Sequence, residues 1–245
     1  MILSEHLEEV EERCACVFGG LPALTHEVDE DLHRLGGIAV DREGPREPQS
    51  ILFRTGFGRL SERRDVTDAS FTPADVVCAV YSLGELGASD REVVVRRAWD
   101  ATVGVLIVIE PGTPSGSGTV LGIRDALIDA GAELLAPCPH AERCPMLRTD
   151  KWCHFPARLE RSEQHRRAKG AELPFEDERY SYVAFSRVGG ERVPGRIVGH
   201  PRYPRRRVDL EVCAPDRLLS LTVPRSDPRY ADARSVAWGD AFGTS

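Results

Sequence analysis

Two apolar runs govern what this chain can become. "ADVVCAVYSL" (residues 74–83) and "VGVLIVIE" (103–110) are almost unbroken, as strands are when both faces of a parallel sheet are covered. Between them, residues 90–101 keep helical spacing, and Asp90 stands near the start as a cap. The breakers "PGTPSGSG" follow the second run, then a helix over 118–130 and a strand over 132–137. Strand, helix, strand, helix, strand predicts crossover connections on a parallel sheet, the α/β class.

Upstream the signals are shorter. Residues 3–13 and 24–35 read as helices, "CACVF" (14–18) as a brief strand, "GGIAVDRE" (36–43) as a buried strand and "ILFRT" (51–55) as another. Gly19 and Gly20 follow the first strand, and Asp41 lies 23 residues beyond Phe18. A glycine turn and a later acid are what a nucleotide-like cofactor needs for its phosphate and ribose. Without a G-x-G-x-G the same residues also read as strand-ending punctuation. After residue 137 the texture changes. "ARLERSEQHRRAK" reads as a basic helix, and "RYSYVAFSR", "GRIVGHP", "RRVDLEVCAP" and "RLLSLTVP" as antiparallel strands between Gly and Pro. The expected organisation is an α/β domain over 1–137, atypical over 1–73, with a β-rich, cysteine-bearing part over 138–245 packed on it.

Three of the seven cysteines fall within "CPHAERCPMLRTDKWCHF", residues 138–155. No run of about eighteen apolar residues is present, so no membrane partner is expected. The start "MILSEHLEEVEER" has neither a secretory pattern nor the bias of a transit peptide. This predicts a cytoplasmic, bacterial-type protein, where thiols stay reduced and metal binding gains weight over disulfides. Cys14, Cys16 and Cys78 lie in apolar runs and read as small buried residues. Cys138, Cys144 and Cys153 are separated by five and eight residues, and Cys213 comes sixty residues later. Zinc sites are commonly built on tight C-x2-C turns, and none is present. Wider gaps and prolines beside Cys138 and Cys144 suit a 4Fe–4S cluster. Zinc, with His140 or His154 completing the set, stays open from spacing alone.

Charge is unevenly spread. The whole chain carries −7, residues 1–50 carry twelve acids against four arginines, and residues 138–213 carry sixteen basic residues against eleven acids. An anionic partner for the later half is one reading, a solvated surface the other.

"CPH", "WCHF", "RLERSEQHRRAKGAEL", "FEDERYSYVAFSR", "VYSLGEL", "IEPGTPSG" and "WGDAF" together resemble the methyltransferase-like small-ribosomal-subunit assembly factor family, a mitochondrial small-subunit protein and its bacterial relatives. The resemblance runs from about residue 74 to the end. It implies a Rossmann-like fold of the S-adenosylmethionine-dependent methyltransferase type and association with small-subunit ribosomal RNA. It also implies a 4Fe–4S cluster on Cys138, Cys144, Cys153 and Cys213. The chain departs from the family at its first loop, where "VFGGLPA" stands in place of a glycine-rich donor loop. The first half is therefore degenerate or shortened, and Gly19, Gly20 and Asp41 are its only candidates for holding the methyl donor.

Three functions follow. The first is a ribosome-associated assembly or translation factor that binds ribosomal RNA and a cluster. The second is an active S-adenosylmethionine-dependent RNA methyltransferase, for which no catalytic residue is visible. The third is a zinc-stapled nucleic-acid module. Arg158, Arg161, His165, Arg166, Arg167 and Lys169, with Arg205, Arg206 and Arg207, are the candidates for phosphate contact. Trp152, His154 and Phe155 would stack on unpaired bases or pack around the metal centre.

Overall fold

β1 (Cys14–Phe18) and β2 (Ala74–Val80) lie parallel, with Cys14 opposite Val76 and Phe18 opposite Val80. The computed structural model describes residues 14–18, 71, 73–161, 163, 166–167, 170 and 172–243. Gly19, Gly20 and Asp41 lie outside the described residues, as do His165 and Lys169.

Among the described residues the chain divides into two compact units, residues 1–107 and 108–245. In the first, β2 is followed by a short 3-10 turn, Leu83–Glu85, and by α1 (Ala88–Ala101). Arg91 of α1 turns back on that turn, and its Nε donates to the Leu83 carbonyl at 2.8 Å. β3 (Thr102–Pro111) then returns beside β2, so the sheet order here is β1–β2–β3. Gly104 is obligatory in this pairing, because a Cβ there would stand 2.6 Å from the Asp75 carbonyl oxygen.

β3 ends in the second unit. There α2 (Pro114–Asp129) begins inside the stretch expected to be all loop. Thr113 accepts a hydrogen bond from the Gly116 N–H at 3.1 Å, and Pro114 occupies the first turn. A capping hydroxyl followed by proline is a helix start, and here it outweighs the Gly and Ser that follow. β4 (Glu133–Ala136) comes next. β5 (Phe155–Glu160) and β6 (Phe175–Ser186) form an antiparallel ribbon. The sheet order is β3–β6–β4, with β4 antiparallel to β6. β6 is built for two settings. Its first half, "FEDERY", is mostly half-exposed and pairs with β5, whereas "VAFS" at its end is buried and pairs with β4.

Of the basic helix expected over 157–169, residues 157–160 belong to strand β5, whereas Glu163, Arg166 and Arg167 are helical. For residues 157–160 the cross-strand pairs with residues 175–178 outweigh helical propensity. A separate antiparallel sheet, β7 (Arg196–Ile197), β8 (Arg207–Cys213) and β9 (Leu218–Pro224), carries the short α3 (Tyr230–Ser235). Ile197, Val208, Leu210, Val212, Val223, Ala233 and Phe242 form its core. "RYSYVAFSR" joins the large sheet, while the other three expected strands make this small one. The result is a mixed parallel and antiparallel α/β fold, Rossmann-like and of methyltransferase type, with a β-rich C-terminal part. No helix among the described residues is long and apolar enough to cross a membrane.

Candidate functional site

Cys138 and Cys144 stand on the loop that leaves β4, and Cys144 caps a 3-10 turn, Pro145–Arg148. Cys153 comes two residues before β5, and Cys213 is the last residue of β8. Local structure explains why these separate segments meet. On α2 the buried positions are 116, 119, 120, 123, 124 and 127, one helical face. Arg124 sits in that stripe with 2% of its surface exposed. Its Nη2 donates to the carbonyl of His140 at 3.0 Å and to that of Glu142 at 2.7 Å, and its Nη1 pairs with Asp125. Arg196 of β7 holds the loop elsewhere, with Nε donating to the Pro137 carbonyl at 2.9 Å and Nη1 to Gly239 at 2.8 Å. Ser181 of β6 donates to the Cys153 carbonyl at 2.7 Å.

The side chains of Cys138, Cys144, Cys153 and Cys213 line one cavity of about 360 Å³. Its walls include Met146 and Val198, both buried with Cys213. Burial pushes the Cys138 thiol up, opposed by the Arg124 guanidinium. Burial also pushes Cys153 well above the ordinary thiol range, and Cys138, Cys144 and Cys213 add to the effect as neighbouring charges. Cys213 is pushed up to about 12 by burial, then by Cys138 and Cys144. These mutual influences mean that ionising several of the thiols together, with nothing between them, is strongly unfavourable.

Cys78, Cys138, Cys144, Cys153 and Cys213 are free of disulfides. Among the described residues no group of three or more His, Cys, Asp or Glu is drawn together as tightly as one metal ion needs. His140 is buried, with Nε2 at 3.8 Å from the Cys213 sulfur and Nδ1 without a partner among the described residues. Burial, then the Arg124 charge, lowers its pKa. His154 stacks on Trp152 with ring centroids 5.4 Å apart and tilts against Trp238 at 4.7 Å. Phe155 is 2% exposed and packs on Tyr180 and Tyr182. It is therefore a packing residue, out of reach of a base.

The basic candidates separate into two kinds. Arg158 makes two hydrogen bonds to Asp177, at 2.7 and 2.9 Å, and lies over the Phe175 ring. Arg161 pairs with Glu176 at 3.0 Å, and Arg167 with Glu163. Arg166 has a buried Nε without a partner among the described residues. Arg207 pairs with Asp209 at 3.3 Å, whereas Arg205 and Arg206 are exposed and join no ion pair among the described residues. Sequence reading missed Arg124 and Arg196. For Arg124 a signal existed: an arginine inside the apolar stripe of a helix has to be held by something.

The family model described as "Mitochondrial small ribosomal subunit Rsm22" matches residues 50–243. A human protein, "Ribosome assembly protein METTL17, mitochondrial", is 29% identical over 192 residues, covering 68% of this chain and 39% of its own length. The chain therefore spans about two fifths of that relative. Both matches bear out the family resemblance and overturn one expectation. The cytoplasmic, bacterial-type localisation rested on a missing transit pattern, and the matched family and relative both point to mitochondria instead.

Proposed function

Because the chain belongs to the mitochondrial small ribosomal subunit Rsm22 family, we propose that it is a small-subunit assembly factor. In this reading it docks on ribosomal RNA through a C-terminal part held together by a thiolate-bound 4Fe–4S centre. Residues 1–137 carry the methyltransferase-like scaffold, and residues 138–245 form the stapled part. The observation that carries the reading is the meeting of four thiols, from the β4–β5 loop and the end of β8, on one cavity.

Four thiolates are the donor set of a 4Fe–4S cluster and also of a closed zinc site, and metal and sulfide analysis separates the two. Cys138, Cys144, Cys153 and Cys213 would hold the cluster, Arg124 would face its negative charge beside Cys138, and Met146 and Val198 would keep water away. When bound, such a centre supplies cross-linking, so its binding free energy becomes folding free energy for the segments it joins.

The test uses anaerobically purified full-length chain. The wild type is expected to absorb in the visible range and to bind small-subunit ribosomal RNA in a salt-sensitive way. Cys144→Ser is expected to lose the absorbance and to melt at a lower temperature. A colourless wild type rules out the cluster, and absence of RNA binding rules out the docking role. Binding of S-adenosylmethionine together with methyl transfer to that RNA would replace the reading by that of an enzyme.

A further inference from the structure

Rearrangement of charge by the fold bears on where RNA is held. Residues 155–180 carry six basic and six acidic residues, and three of the basic ones are held in ion pairs. Arg158 is taken by Asp177, Arg161 by Glu176 and Arg167 by Glu163. Arg158, Arg161 and Arg167 are therefore already neutralised by neighbouring carboxylates.

The end of the small sheet is different. The Arg202 and Asp209 backbones exchange two hydrogen bonds, at 3.0 and 2.9 Å, and the Arg225 N–H donates to the Arg206 carbonyl at 2.9 Å. The loop before β8 and the turn after β9 therefore share one end, which gathers Arg202, Arg205, Arg206 and Arg225. All four are exposed and none has a carboxylate partner among the described residues. The two acids beside them are already engaged: Asp209 with Arg207 and Thr222, and Asp227 with Arg229. Residues 200–209 and 224–229 carry six arginines against two aspartates, an excess of four.

Backbone conformation adds an independent sign. Arg206 has φ +67°, in the left-handed region where glycine or asparagine is the ordinary choice. It sits in the turn closed by the Arg207 N–H on the Pro204 carbonyl at 3.3 Å. A charged side chain kept in a strained turn suggests use rather than folding. Tyr203 is 54% exposed, and its hydroxyl donates to the Val236 carbonyl at 3.3 Å. A held ring next to free cations suits single-stranded RNA.

We infer that this arginine end of the β7–β9 sheet, and not the 158–169 segment, is the phosphate-binding face for ribosomal RNA. The inference rests on the RNA-docking reading above. Each phosphate neutralised on a single strand contributes about 0.7 to the slope of log affinity against log salt.

The test is fluorescence anisotropy of the full chain with a short fluorescein-labelled single strand of small-subunit ribosomal RNA, across a salt series. Replacing Arg202, Arg205, Arg206 and Arg225 by Ala is expected to flatten the slope by about 3 units. Replacing Arg158, Arg161 and Arg167 by Ala is expected to leave it unchanged. Arg206→Gly, which relieves the turn, is expected to weaken binding while the melting temperature holds or rises, so a folding defect cannot imitate the result. An unaltered slope in the fourfold variant, with wild-type binding intact, overturns the inference and leaves the docking reading standing. Absence of salt-sensitive binding in the wild type removes the docking reading itself.

Discussion

Arg124 is the residue on which the cysteine loop depends most. Two backbone carbonyls, those of His140 and Glu142, point at its guanidinium, which is buried. The buried His140 carbonyl, left without its donor, costs about 1–3 kcal/mol, whereas the Glu142 carbonyl is open to water. Arg124→Met is therefore expected to destabilise the chain by roughly 1–3 kcal/mol, read by chemical denaturation, and to speed alkylation of Cys138 and Cys144. Arg124→Lys keeps one charge but cannot fork to two carbonyls, and it is expected to fall between the two. A wild-type alkylation rate in Arg124→Met would show that the loop is held by other contacts. Cys213 supplies a pH dependence in the metal-free chain. Its folded value, about 12, lies above the ordinary thiol value of 9.0. The folded state then keeps a proton that the unfolded state releases, so this contribution is full below pH 9. It is lost as pH rises from about 9 to about 12. A pH titration of melting temperature checks this, and the metal-free Cys213→Ala variant should show a shallower fall in that window.

At the scale of elements, close packing of backbone makes certain glycines decisive. A Cβ on Gly116 would overlap the Pro111 carbonyl oxygen, at the turn that starts α2 and so positions Arg124. Gly116→Ala is expected to lower stability by about 2 kcal/mol or more, with loss of the near-ultraviolet signal around the aromatic residues. Leu210, 2% exposed in the core of the small sheet, should cost about 2–5 kcal/mol as Ala. The same elements show what the sequence made legible. β2, β3 and β4 announced themselves because buried strands are apolar on both faces, and β8 and β9 because they alternate between Gly and Pro. α2 was placed four residues late, since its start depends on a Thr113 cap that the neighbouring glycines disguise. β5 was mistaken for helix because "ARLER" has good helical propensity. What decided against it was the partner strand, residues 175–180, which no local reading of "ARLER" contains.

For the whole molecule, the block at Cys138, Cys144 and Cys153 was visible from spacing. Cys213 was assigned to it only through resemblance, because it stands sixty positions beyond Cys153 and pairing across a fold leaves no mark on local sequence. The Arg196 clamp is invisible for the same reason: its acceptors, Pro137 and Gly239, are backbone carbonyls far away in the chain. Gathering of the four thiols is the central claim, and the most direct measurement is metal and acid-labile sulfide content of anaerobically purified protein. The account predicts about four iron atoms and four sulfides per chain, with both lost in Cys213→Ser. One zinc per chain and no sulfide, or iron content unaffected by Cys213→Ser, would contradict it.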